Sequence, residues 1–129
     1  MRDPDFPDEL CSFIQQCTPS VEAVELLLFF AGHPDKPWTP GELARQMRPS
    51  SITEPAIREY LQLFVACRLV NRGHDNLYRY GTPSPQTTRV VQALAKAYNE
   101  RPVSLVRMIY FLKESKIQSF AEAFKIRKR

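Results

Sequence analysis

Thr39-Pro40-Gly41-Glu42-Leu43-Ala44-Arg45-Gln46-Met47 opens the pattern whose continuation decides the architecture. Thr39 and Glu42 stand at the T-x-x-E spacing of a capping box, in which the hydroxyl and the carboxylate each satisfy a backbone N–H that the first helical turn leaves without a partner. Pro40 falls at the first helical position, where no donor is missed. Trp38 and Leu43 occupy the flanking positions of a hydrophobic staple, so Trp38 reads as a packing residue rather than a ligand platform. Leu43, Ala44 and Met47 then face inward and leave Arg45 and Arg48 outside.

A turn, Arg48-Pro49-Ser50-Ser51-Ile52, leads to a longer helical run from Thr53 to Cys67. Ser51-x-x-Glu54 imitates a second capping box, but that register would set Pro55 against the preceding turn. Thr53 as the cap keeps Pro55 inside the first turn, where its ring is tolerated. Ile57, Leu61, Phe64 and Val65 define the expected buried face, with Arg58, Glu59 and Gln62 pointing elsewhere. Leu69–Arg72 and Leu77–Tyr80 flank Gly73-His74-Asp75-Asn76, which has the turn chemistry of a β-hairpin. Two strands alone are marginal, so the ribbon must pack on the helices.

Around this centre the chain is expected to be mainly α-helical. Leu10, Phe13, Ile14 and Cys17 make a one-sided helix after Pro7. From Pro19 to Ala31 the apolar residues nearly surround the axis, which predicts a central helix ending at Gly32. Thr18-Pro19, Thr39-Pro40 and Ser84-Pro85 each pair a hydroxyl cap with Pro at the first helical position, and all three are expected to start helices. Val90, Val91, Leu94 and Tyr98 share one side of the helix after Ser84, and Pro102 ends or kinks it. Val103, Val106, Ile109 and Tyr110 continue a stripe, with Leu105, Met108, Phe111 and Leu112 on other sides. A last helix is expected to carry Ile117, Phe120, Ala121 and Phe124.

Length and composition bound the answer. At 129 residues, with 43% hydrophobic and 25% charged content, the chain suits one globular domain and argues against wholesale disorder. We divide it into an acidic leader with a short helix (1–18), a core (19–81) and a C-terminal helical extension (82–129) that is a candidate dimerisation region. Residues 1–35 hold one basic against seven acidic residues, and the remainder holds 17 basic against seven acidic. A basic body suits a polyanion-binding surface, although charge alone serves solubility equally well. Met1-Arg2-Asp3-Pro4-Asp5 opens without a signal-peptide pattern, and the longest apolar run, Leu26 to Ala31, falls far short of a membrane span. Cys11, Cys17 and Cys67 form no CxxC pair, which fits reduced thiols in a cytoplasm.

Residues 39–80 resemble the winged helix-turn-helix of small bacterial transcription regulators, loosely of the MarR or ArsR kind. The resemblance is carried by Glu42-Leu43-Ala44-Arg45-Gln46-Met47, by Ala56-Ile57 and Leu61, and by Arg68-Leu69-Val70 leading into the hairpin. In such regulators that last segment often reads Gly-Leu-Val, so Arg68 stands where a glycine is common. The resemblance implies a two-stranded β wing, and the added N- and C-terminal helices are compatible with a dimer-forming frame. Val90, Val91, Leu94, Tyr98, Val106, Ile109, Tyr110, Phe120 and Phe124 carry more apolar surface than a small winged core covers alone, which predicts a homodimer patch. The resemblance also implies duplex DNA as partner, read by the second helix in a groove.

On that reading Arg58 and Gln62 reach base edges. Ser50, Ser51 and Thr53 offer hydroxyls to phosphates at the helix N-terminus. Arg45 and Arg48 touch the backbone, while Arg72, Arg79 and His74 on the wing meet an adjacent phosphate or minor groove. Glu54 and Glu59 on the same helix oppose a polyanion and keep a second reading open, a winged-helix module that docks a protein of the transcription machinery. His33 and His74 stand in no metal-ligand spacing, and no phosphate loop or nucleophile elbow is present. An enzyme, a cofactor and a metal are therefore not expected.

Overall fold

Capping chemistry sets where the helices begin. The computed structural model describes residues 6–47, 52–81 and 84–127, with side chains as far as Glu114. The chain runs α1 (Asp8–Cys17), α2 (Val21–Gly32), α3 (Pro40–Gln46), α4 (Glu54–Ala66), β1 (Val70–Arg72), β2 (Tyr78–Tyr80), α5 (Pro85–Glu100) and α6 (Pro102–Arg127). It is thus mainly helical with a small two-stranded antiparallel sheet. Thr39 Oγ1 accepts from Glu42 N at 3.2 Å, and Glu42 Oε1 accepts from Thr39 N at 2.9 Å, which completes the capping box. The bond from the Thr39 backbone holds the Glu42 carboxyl below its ordinary range. Thr53 Oγ1 caps α4 through Ala56 N at 3.3 Å, and Ser84 Oγ caps α5 through Thr87 N at 3.2 Å.

Thr18-Pro19 does not start a helix. α2 begins two residues later under Ser20, whose Oγ accepts from Ala23 N at 3.1 Å. Thr18 is instead the C-cap of α1, donating its backbone N–H to Ile14 O, and its side chain is fully buried. With its backbone closing α1 and its hydroxyl buried without a hydrogen-bond partner among the described residues, Thr18 is not placed to open the next helix. Ser20 also donates to Tyr60 Oη at 2.9 Å, fastening the start of α2 to α4.

α2 is central, as its nearly all-round apolar surface requires. Ala23, Val24, Leu26, Leu27 and Phe30 are sealed from solvent, and α4, α5 and β2 pack against it. α1 closes the far side against α5 and α6, so the core runs from Phe6 to Leu112. On α4, Ile57, Leu61 and Phe64 are fully buried, but Val65 is 38% exposed, against expectation. At ~100° per residue Val65 lies about 80° around the helix from Ile57, at the edge of the stripe. α6 is likewise turned from the expected face. Leu105, Met108, Ile109 and Leu112 are buried, whereas Val103 and Tyr110 are 64% and 61% exposed.

α6 also runs unbroken from Pro102 to Arg127, with no separate last helix. Between Leu112 and Ile117 stands Lys113-Glu114-Ser115-Lys116, which has no glycine or proline to stop it. The break falls earlier, at Arg101, the C-cap of α5, and Pro102 takes the first position of α6.

The hairpin pairs Val70 with Tyr80, Asn71 with Arg79 and Arg72 with Tyr78. Both strands are one residue shorter than expected. The turn is a 3-10 turn, His74–Asn76, in which Asp75 and Asn76 take the left-handed region at φ 58° and 59°. Short polar side chains tolerate that region, so Gly73 is not the residue that supplies it. On its other edge β2 meets Trp38, with Trp38 N donating to Tyr78 O and Tyr78 N to Trp38 O, both at 2.8 Å. The buried Trp38 ring lies 4.9 Å from Phe29, edge-on, and Lys36 Nζ sits 4.1 Å from its centroid. The residue before the α3 capping box is therefore tied to the hairpin.

α4 ends in a Schellman motif. Leu69 N donates to Phe64 O at 2.9 Å and Arg68 N to Val65 O at 3.0 Å, which puts Arg68 in the left-handed region at φ 62°. An L-residue with a Cβ costs about 1 kcal/mol there relative to glycine. Arg68→Gly is accordingly expected to stabilise the fold by about 1 kcal/mol in urea unfolding. A loss of stability would show that the Arg68 side chain makes an interaction worth more than the backbone strain.

Candidate nucleic-acid interface

α4 packs on α3 and on β1, and β1 pairs with β2, so the described site residues lie on α3, α4 and the hairpin, elements in mutual contact. Arg45 is exposed in the last turn of α3. Arg48, Ser50 and Ser51 lie outside the described residues. Thr53 is exposed, and its hydroxyl already accepts from Ala56 N as the cap of α4. Arg58, Glu59 and Gln62 are exposed away from the Ile57, Leu61 and Phe64 face, which is the side a ligand can reach.

Sequence reasoning sets Glu54 against a polyanion but misses what it does locally. Arg58 Nη2 donates to Glu54 Oε2 at 2.6 Å, an i,i+4 pair legible in the spacing, with side chains 52% and 44% exposed. An exposed pair of this kind is worth about 0.3–0.5 kcal/mol. A bidentate arginine–guanine contact is worth about 1–3 kcal/mol. The pair orients Arg58 without withholding it from a base.

On the hairpin, Arg72 pairs with Tyr78 and Arg79 with Asn71, adjacent rungs whose side chains point to opposite faces of the ribbon, and His74 is exposed at the turn. Arg72 Nη2 donates to Asn76 Oδ1 at 3.4 Å. Arg79 Nη2 donates to Asp35 O at 3.1 Å, which braces the hairpin on the loop between α2 and α3. One bond leaves each guanidinium with further donors. Arg68, exposed between α4 and β1, adds a cation that sequence reasoning treats only as a replaced glycine.

A separate groove of about 610 Å³ lies between α2, α3 and α5, lined by Phe29, Met47, Val91 and Tyr98 among others. In its lining Tyr98 Oη donates to Glu25 Oε2 at 2.7 Å, a bond that raises the Tyr98 phenol above its ordinary range. Among the described residues no three His, Cys, Asp or Glu side chains gather as a metal site, and no helix is long and apolar enough to cross a membrane. Comparison with protein families, curated proteins and solved structures finds no match for this chain.

Proposed function

We propose that this chain is a cytoplasmic DNA-binding transcription regulator of winged helix-turn-helix type, reading duplex DNA with α4 and bracing it with the hairpin as the wing. One observation carries the reading: Arg58 and Gln62 stand one turn apart on the solvent side of a helix whose other side is anchored by Ile57, Leu61 and Phe64. A rigidly seated helix with two donor side chains one turn apart suits adjacent base edges. Arg45, Arg72, Arg79 and His74 supply phosphate or minor-groove contacts on the flanking elements. Arg58→Ala or Gln62→Ala is expected to lose about 1–3 kcal/mol of discrimination at one base position while non-specific binding persists. Equal loss on every sequence would make both residues phosphate contacts.

The Glu54–Arg58 pair beside exposed Glu59 favours one second reading, a mixed-charge face that docks a protein. We also infer a homodimer formed through α6. Val90, Val91, Leu94 and Ile109, expected to contribute to a dimer patch, are buried within the single chain. What remains is a stripe on α6, with exposed Val103 and Tyr110 flanking half-buried Val106 at coiled-coil spacing. In sequence Ile117, Phe120 and Phe124 continue that spacing. Sedimentation at micromolar concentration is expected to give twice the 14.9 kDa chain mass, and the chain mass itself after Tyr110→Glu. A monomer throughout would remove the dimer and the palindromic site that goes with it.

A further inference from the structure

We propose that Cys17 and Cys67 form an oxidisable dithiol that closes, with a hydroperoxide as oxidant, into a disulfide joining the C-terminal ends of α1 and α4. Cys17 is the last residue of α1, and Cys67 is the C-cap of α4. Although far apart in sequence, the two residues meet: Cys67 Sγ lies 3.8 Å from the carbonyl oxygen of Gln16, the neighbour of Cys17, and Cys67 is near enough to perturb the Cys17 thiol. Both are free thiols, Cys17 buried and Cys67 half-buried. A thiol held against the peptide bond that leads into a second cysteine on another helix is within the reach that disulfide formation requires.

The surroundings order the chemistry. Burial, and then the neighbouring Cys67 thiol, push the Cys17 thiol up to about 12, so Cys17 stays protonated and is slow to attack an oxidant. Cys67 is the thiol that solvent reaches. Its sulfur attacks the peroxide O–O bond, giving a sulfenic acid and releasing water. The Cys17 sulfur then attacks the Cys67 sulfur, forming the S–S bond and expelling the sulfenic oxygen as a second water with the Cys17 proton. Two thiols lose two electrons, and the peroxide gains them. Cys11 stands about 9 Å further up α1, at 1.5 Å per residue, and its thiol donates to Phe6 O at 3.7 Å instead.

The test is independent of the DNA reading. The full chain is treated with hydrogen peroxide, its remaining thiols are alkylated, and it is mapped without reductant. Trypsin leaves Cys11 and Cys17 together in the peptide 3–45, because Lys36 precedes Pro37, so the Cys11→Ser variant makes the assignment. The expected product is an intrachain link between that peptide and the one holding Cys67, about 2 Da lighter than the two thiol peptides. It should form in Cys11→Ser as in the parent and be absent in Cys67→Ser. Thermal unfolding should move up by several degrees and return on reduction, since the link closes a long loop in the unfolded chain. Both thiols still alkylatable after peroxide, a link through Cys11, or links only between chains would each overturn the proposal.

Discussion

Phe64→Ala is expected to destabilise the protein by about 3–5 kcal/mol, the range for truncating a large aromatic side chain in a packed core. Phe64 is fully buried, and its carbonyl accepts the Leu69 N–H that turns the chain into the hairpin. Loss of the ring leaves a cavity between α4 and the centre of the molecule that neighbouring side chains fill only in part. Domains of this size hold about 5–15 kcal/mol in all, so the variant should be partly unfolded at modest urea concentrations. Val65→Ala, one residue on and 38% exposed, should change stability by no more than about 0.5 kcal/mol. The contrast between neighbours tests which side of α4 faces the core. Comparable losses at both positions would mean that the helix is rotated.

Replacing Arg72 and Arg79 together with Ala should weaken duplex binding on all sequences alike. Removing one arginine–phosphate pairing should flatten the plot of log affinity against log salt by about 0.9, so the two residues account for about two units. They stand on adjacent rungs of the ladder with side chains on opposite faces of the ribbon, and each also donates one bond within the protein, Arg72 to Asn76 Oδ1 and Arg79 to Asp35 O. A melting curve of the double variant must therefore accompany the titration. Loss of the two exposed bonds, Arg79 to Asp35 O and Arg72 to Asn76 Oδ1, is expected to cost about 0.5–1.5 kcal/mol each, less than the about 5–15 kcal/mol that holds a domain of this size. An unchanged slope with an intact fold would take the hairpin off the DNA.

Much of the local structure is legible in the sequence because capping is local. Thr39 with Glu42, Thr53 with Ala56, and Ser84 with Thr87 are within a turn of each other, and no distant partner is needed to select them. Thr18 misleads for the converse reason, since its spacing suits a cap but tertiary packing buries it at the end of α1. Periodicity locates α6 but not its inward side. Val103-Val106-Tyr110 and Leu105-Met108-Leu112 both make apolar stripes, and only the positions of α1 and α5 decide between them.

Long-range pairings leave no trace in the pattern. The Trp38–Tyr78 bridge is a single residue on each side, and the meeting of Cys17 with Cys67 joins two helices far apart in the chain. Among the candidate site residues, the Arg58–Glu54 pair is visible at i,i+4 spacing, whereas the bond from Arg79 to Asp35 O depends on where a loop crosses the hairpin.

Titration of the unaltered chain with duplex DNA over a salt series, followed by fluorescence anisotropy, asks whether α4 and the hairpin engage a duplex at all. If α4 and the hairpin engage a duplex through their arginines, affinity should fall steeply and linearly in log–log form as salt rises. Three phosphate contacts, from Arg45, Arg72 and Arg79, correspond to a slope of about −2.7 at −0.9 per contact. Tight binding at low salt with a slope of that order is expected. No detectable duplex binding at low salt would contradict it and leave the mixed-charge face of Glu54, Arg58 and Glu59 as a surface for a protein.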